Sequence, residues 1–406
     1  MAKVPAWRSP AARPPTIGPP PPEPPLSRFN RFAVLTLRAL RAVVPKDRRR
    51  AVLYGVPATN DGIRALLPAV ARRGMRCVVI SETSDEAERV RVQLGGSVDL
   101  IIRRRRSVGA MWQVARAGAV FFTHELYALP PSPRQLMVNL WHGEFTKIIG
   151  LWNSTRGCAS TYATATSRLG VAFRSAEFGL SPQQVLVVGD PRNDLMLQTS
   201  KDAARQELGL PAERRVLLWL PTYRMWPDQR SGPPAPTASD LAAIDGWLAQ
   251  RNLLLVLKAH PLAPPQPDLV STENIRILAD DADHPVSVAR LLAASDGLIT
   301  DFSSTWCDYL LLDRPIWIHC PDYADLARHG HMLLLPVDRW LPGPLSTTID
   351  ELTAAIDAEL TGTERAWRER RAWLLDVLHE HKSGSAAERL LDAIDMPTGP
   401  SGGPGA

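Results

Sequence analysis

Short apolar runs alternating with amphipathic segments constrain this chain more than any other feature. "AVLYGV" (51–56), "RCVVI" (76–80), "VDLII" (98–102), "AVFF" (119–122), "LMVNLW" (136–141) and "QVLVVG" (184–189) have the length and apolar continuity of buried strands. Helical spacing fills 60–73, 84–94 and 107–117 between them. A second series follows: "RVLLWLP" (215–221), "LLLVLKAHP" (253–261), "IRIL" (275–278), "DGLITD" (296–301) and "PIWIHCP" (315–321), with helices near 239–250, 286–294 and 304–312. Strands joined through helices are too far apart in sequence for tight hairpins, so they form a parallel sheet covered by helices. Two such series in 406 residues predict an α/β protein with two halves, 51–198 and 199–362, and a cleft between them. Ligands of such sheets bind beyond the carboxyl ends of the strands.

The ends of the chain differ in kind. Residues 1–27 and 396–406 are rich in proline and glycine, cannot bury a core, and read as a disordered segment and a tail. The N-terminus lacks the charged stub and apolar core of a signal peptide, and no apolar run approaches the ~20 residues that span a bilayer. Cys77, Cys158, Cys307 and Cys320 stand singly, without the paired spacing of disulfides or a zinc site, which fits a reducing cytosol. Helical segments of mixed charge near 349–360 and 364–380 lead into a C-terminal helical region, 363–395. "DDAD" (280–283) reads as surface rather than a metal site, and no metal-ligand cluster is evident.

A net charge of +5 points to anionic partners: phosphates, nucleic acid or lipid head groups. The charge is uneven. On a helix drawn over 28–44, Arg28, Arg31, Arg38 and Arg41 share one face. Phe29, Phe32, Ala33, Leu37, Leu40, Val43 and Val44 share the other, with Val34 and Leu35 out of place. Together with Lys46 and Arg48 to Arg50, this makes 28–50 a basic amphipathic segment suited to a membrane interface; the simpler reading packs its apolar face on the protein's own core. The run Arg103 to Arg106 reads equally as a solvated face.

Polar residues gather at the strand ends. "LMVNLW" runs into His142 and Gly143, and "VLVVG" into Asp190, Arg192, Asn193 and Asp194. "RVLLWL" runs into Thr222 and Arg224, "LLVLK" into Lys258 and His260, and "GLIT" into Asp301, Ser303 and Ser304, with Asp308 a few residues on. Ser303 and Ser304 open a helix, whose first N–H groups favour a phosphate, although a serine there also serves simply as a cap. Arg192, Arg224 and Lys258 supply positive charge suited to a pyrophosphate. His142 and His260 have an ordinary pKa near neutrality, as general acid–base work requires. The phosphate loops of nucleotide triphosphate and dinucleotide enzymes are missing from the sequence.

In order along the chain, "NLWHGEFTKIIG", "VVGDPRNDLM", "LLWLPTYR", "VLKAHP", "SDGLITDFSSTWCDYLLLDRPIWIHCPD" and "LPGP" resemble the motif series of the CDP-glycerol glycerophosphotransferase family, over about residues 110–360. The resemblance implies a GT-B-like fold, two Rossmann-like domains facing a cleft. It implies transfer of a polyol phosphate from CDP-glycerol or CDP-ribitol to a lipid-linked or polyol-phosphate acceptor of the cell envelope, with release of CMP. By motif position His142 matches the catalytic base and His260 a second essential histidine. Arg224, Lys258, Asp301, Ser303, Ser304 and Asp308 match the donor side, with Arg192 beside them. Gly143, Glu144, Lys147, Asp190, Asn193, Asp194 and Thr222 are further cleft candidates. The resemblance further implies peripheral attachment to the inner face of the cell membrane through 28–50, no nucleic-acid partner and no tightly bound cofactor, with the divalent-ion requirement open. Two departures bear on the polyol and acceptor: Glu144 stands where threonine is usual, and His329-Gly330 in "ARHGHM" (327–332) where arginine–glycine is usual. A sugar-nucleotide glycosyltransferase or epimerase of the same fold, and an inactive membrane-bound protein, are the alternative readings.

Overall fold

A computed structural model describes residues 28–96, 98–127, 129–144, 159–222, 236–260, 266–278, 286–324, 337–362 and 365–396. Arg224, Lys147, "DDAD" and the "ARHGHM" stretch lie outside the described residues, as do the side chains of residues 28–33.

The first half carries α1 (Arg28–Val43), β1 (Asp47–Tyr54), α2 (Asp61–Arg72), β2 (Arg76–Ser81), α3 (Ser84–Leu94), β3 (Leu100–Arg104), α4 (Val108–Arg116), β4 (Ala117–Phe122), β5 (Leu136–Asn139), β6 (Tyr162–Ala165), α5 (Arg168–Phe178), β7 (Val185–Val187), α6 (Pro191–Leu197) and α7 (Lys201–Glu207). The second carries β8 (Arg215–Leu220), α8 (Ala238–Gln250), β9 (Leu253–Lys258), β10 (Ile275–Leu278), α9 (Val288–Ala294), β11 (Gly297–Thr300), α10 (Thr305–Tyr309), β12 (Ile316–His319), β13 (Leu345–Ser346), α11 (Ile349–Leu360), α12 (Arg365–Leu378) and α13 (Ala386–Ala393).

The strand orders are β3-β2-β1-β4-β5-β6-β7 and β10-β9-β8-β11-β12-β13, and every ladder is parallel. Both sheets therefore follow the Rossmann order, reversing direction of growth beside their first strands, and the pair forms the expected GT-B-like α/β architecture. The switch points lie between β1 and β4 and between β8 and β11. Apolar side chains pack on both faces of each sheet, which is why the strands read as continuous rather than alternating runs. Several helices open on a Ser, Thr or Asn whose side chain accepts an amide of the first turn, Asn60, Thr83, Ser107, Thr237 and Thr348 among them.

Short elements without apolar runs escaped the sequence reading. "YATA" at β6 has too little apolar surface to signal a strand, and β13 has two residues. The basic amphipathic segment is also redistributed. Val34, expected out of place, is buried, and Leu37 is buried against α4 and the first sheet, whereas Val43 is 76% exposed. Arg41, assigned to the polar face, is buried and donates to Gln135 and to the Pro130 carbonyl. Arg50 is also buried, paired with Asp47 at the start of β1. Among the described side chains of α1, Leu37 and the half-buried Leu40 pack on the protein's own core while Leu35 and Val43 face outward, so part of its apolar surface is used internally.

The chain returns to its first half at the end. Leu390, Leu391 and Met396 join the core of the first sheet, and Arg73, which ends α2, pairs with Glu388 and Asp392. Asp194 of α6 accepts from the Ala386 and Ala387 amides (2.8 and 2.9 Å) and so caps α13. This is a correction: its carboxylate is committed to a helix start, where it satisfies two otherwise unpaired N–H groups. Asp194→Ala is expected to destabilise the protein by about 1–2 kcal/mol, measured by urea unfolding, through loss of this cap.

Candidate active site

His142 follows β5 after a bend at Trp141, whose positive φ of 56° is unusual for a bulky residue and marks local strain. The Asn139 side chain secures that bend by accepting from the Trp141 amide at 2.9 Å. His142 Nδ1 lies 2.8 Å from the Thr123 carbonyl. A carbonyl only accepts, so Nδ1 carries the proton and the lone pair of the neutral ring sits on Nε2. The ring is solvent-accessible within a crowded concavity. Desolvation pushes its pKa down to about 4; the Thr123 bond works the other way, and the charges of Arg192, Arg174 and His260 add to the lowering. At neutral pH His142 is an uncharged imidazole whose Nε2 has no hydrogen-bond partner among the described residues, the state suited to a general base.

Gly143 brings the two halves together. A methyl group placed on it would lie 3.1 Å from Ser304 Oγ, so the first strand-end motif touches the start of α10 directly. Ser304 gives its helix no side-chain cap, while the Ser303 hydroxyl is used locally, 2.9 Å from Thr305 Oγ1 and accepting the Thr305 amide. The Gly143 carbonyl accepts from Arg174, a buried residue paired with Glu177 at 2.9 Å.

Arg192 and Asp308 turn out to serve each other. Arg192 Nε and Nη2 both lie 3.1 Å from Asp308, across the domain boundary. Asp190 at 3.1 Å and Glu144 at 3.4 Å complete a shell of three carboxylates around one guanidinium. Asn193 donates to Asp308 at 2.9 Å, and Thr166 donates to Glu144. Burial alone would lower the Arg192 pKa, but Asp190, Asp308 and Glu144 raise it. Burial raises Asp190 to about 7 and raises Glu144, with Arg192 opposing both and Arg174 also opposing the rise at Glu144. The expectation that Arg192 is a phosphate cation and Asp308 a donor ligand is therefore corrected, because they form an interdomain ion cluster with Glu144, Asp190 and Asn193.

The residues expected on the donor side that the structure describes lie along the carboxyl edge of the second sheet. Lys258 is buried at the end of β9 and His260 follows it, half-buried. Asp301 bridges the second switch point by accepting the Thr222 amide at 3.1 Å and the Thr222 hydroxyl. Beside them a cavity of about 390 Å³ is lined by Thr222, Asp301, Asp240, His319, Thr347 and Asp350, among others. Its carboxylates repel a phosphate and accept from hydroxyls or an exocyclic amine, the chemistry of a nucleoside. Among the described residues no group of three or more His, Cys, Asp or Glu is placed to share a metal ion.

Sequence reasoning missed His124, whose ring stacks on His142, and Arg174. The signal for His124 was present: "AVFF" runs into Thr123-His124 as the other strands run into polar residues.

A family model for CDP-glycerol:poly(glycerophosphate) glycerophosphotransferases matches residues 78–395. The teichoic acid ribitol-phosphate primase of Bacillus spizizenii is 27% identical over 289 residues, covering 66% of this chain and 72% of that protein. The teichoic acid glycerol-phosphate transferase of Staphylococcus aureus is 25% identical over 291 residues, covering 65% and 72%. A variant of the wall teichoic acid polymerase TagF soaked with CDPG superposes with a TM-score of 0.74 over 91% of this chain and 98% of that one, at 19% identity. That likeness establishes the fold.

Arg192→Met removes the cation from three carboxylates in a buried cluster. It is expected to destabilise the protein by about 3–5 kcal/mol in urea unfolding, far more than an exposed arginine would.

Proposed function

The chain belongs to the CDP-glycerol:poly(glycerophosphate) glycerophosphotransferase family, and on that premise we propose that it transfers a polyol phosphate from a CDP-activated donor to an acceptor hydroxyl of a cell-envelope polymer. The observation that carries this reading is the meeting of His142, with its open Nε2, and Ser304 across Gly143. His142 Nε2 takes the proton of the acceptor hydroxyl, whose oxygen attacks the phosphorus bearing the polyol. The bond from that phosphorus to the bridging oxygen breaks, and CMP leaves with the electron pair. Lys258 offsets the charge on the departing phosphate, with His260 and Ser304 beside it. Reactions of this kind depend on position and electrostatics, which this chain's own residues supply without a tightly bound cofactor. The nucleoside occupies the cavity at Thr222, Asp301 and Asp350. Glycerol is the polyol assigned first, with ribitol the competing donor.

We also place the protein at the inner face of the cell membrane, where a lipid-linked acceptor presents its hydroxyl. Support comes from exposed Arg38, Arg48 and Arg49 and from Leu35 and Val43, 62% and 76% exposed, on and just beyond α1. This contact is electrostatic first, since Leu37 and Leu40 of α1 are occupied internally.

Acceptor-dependent CMP release, measured with CDP-glycerol, CDP-ribitol and UDP-sugars, with and without a chelator, tests the reaction. CMP is expected from a CDP-polyol; UDP release alone would establish the glycosyltransferase reading. His142→Ala is expected to lower kcat by about 100-fold or more. Because the His142 pKa is depressed, the base stays neutral as pH falls through 6.5, and the rate is expected to decline only as pH approaches about 4. In vesicle sedimentation, anionic lipid is expected to retain the protein. Charge reversal at Arg38, Arg48 and Arg49 is expected to weaken retention by about 1 kcal/mol per residue or more.

A further inference from the structure

The first switch point holds a second imidazole that the mechanism above does not use. His124 follows β4, and its ring lies flat on that of His142, centroids 4.1 Å apart and planes within 6°. Two donors converge on His124 Nδ1: the Val56 amide at 3.2 Å and the Thr123 hydroxyl at 2.9 Å. The Thr123 oxygen itself receives a hydrogen bond from Asn60 Nδ2 at 3.2 Å, which leaves its proton to face the imidazole. His124 therefore carries its own proton on Nε2, the opposite tautomer to His142. Thr123 sets both: its carbonyl accepts from His142 and its hydroxyl donates to His124.

The Thr123 hydrogen bond fixes one edge of the His142 imidazole, and the Trp141 ring, 4.2 Å away but tilted by 33°, packs on it without matching its plane. A parallel ring fixes the plane. We propose that His124 is a positioning residue for the His142 base, its neutral ring holding His142 in plane, shielding one face from water, and lying against the imidazolium that forms when the base takes its proton. This rests on the assignment of His142 as the base. The charged state of His142 gains from an aromatic neighbour and would lose from a cation. His124 is kept neutral by burial, with His142 adding to the effect, and its pKa falls to about 3. The other charges acting on His142 are Arg192, Arg174 and His260, all cationic or basic, so a charged His124 would add to an already positive surrounding.

The experiment compares wild type, His124→Ala and His124→Phe as full-length proteins. CMP release is followed across pH, and the His142 imidazole is titrated by NMR in the same three proteins. Thermal melts confirm that the half-buried site tolerates each change. His124→Ala is expected to lower kcat by about 10- to 100-fold with little change in donor KM. By admitting water to one face, it is expected to raise the His142 pKa by about one unit and move the acid limb of the rate profile with it. His124→Phe keeps a flat ring and is expected to recover most of the rate, with the titration near that of wild type. A wild-type rate and titration in His124→Ala overturns the proposal. Equal losses in both variants with the His142 titration unmoved also overturn it, because His124 would then act through its Nε2–H on substrate. If wild type releases no CMP, the reaction assigned above fails, while the NMR titration still decides whether His124 governs the His142 ring.

Discussion

The cluster of Arg192 with Asp190, Glu144 and Asp308 is the interaction on which the site depends. Three of its members come from the first half and Asp308 from the second, so the guanidinium fastens the two halves at their buried boundary. Taking these charges out of water is costly, and the cluster holds because the two Arg192–Asp308 contacts, Asn193 and Thr166 supply hydrogen bonds to the carboxylates. Its net charge depends on Asp190 and Glu144, both shifted toward the neutral form by burial. The consequence is geometric. With α6 and α10 tied together, Gly143 and Ser304 are held in near contact, and a side chain at 143 would crowd the Ser304 hydroxyl.

Both switch points are closed by the same kind of device, a side chain on one strand end gripping the other. Thr222 and Asp301 do this in the second sheet, and Asn60 and Thr123 in the first. The strands stay paired to their carboxyl ends, and it is the connections beyond them that part where the order reverses, opening the crevice these links span. These links also set proton positions. The tautomer of His142 follows from a backbone carbonyl, whose direction is fixed by the end of β4, so the orientation of this imidazole is inherited from the sheet rather than from its own loop.

Much of this was legible in the sequence, and the limits are instructive. The long strands and their parallel pairing follow from apolar runs that leave no polar alternate face, and the rule that chemistry sits at strand ends led to His142, Lys258, His260, Thr222 and Asp301. The same rule overlooked His124, because a histidine after "AVFF" carries no motif of its own. Arg192, Asp308 and Asp194 were read as cleft groups since their spacing is that of polar residues at strand and helix ends. Spacing does not say whether a charge faces a ligand or another charge. On α1 the wheel misplaced Val34 and Arg41, which are buried, and Val43, which is exposed, because a neighbouring helix and loop decide which side is inside.

The sequence by itself determined the architecture: the period and length of the apolar runs admit only parallel α/β halves, and strand ends concentrate polarity because buried strands exclude it. Only the tertiary structure decided which of those polar groups are spent on holding the halves together and which remain for chemistry. Residues such as Arg192 and Asp308 lie 116 positions apart, and no local pattern records that a charge will meet its partner across a cleft. That choice is made by desolvation: a charge carried into a closed boundary must find its counter-charge there, whereas one left at the open mouth stays available to a substrate.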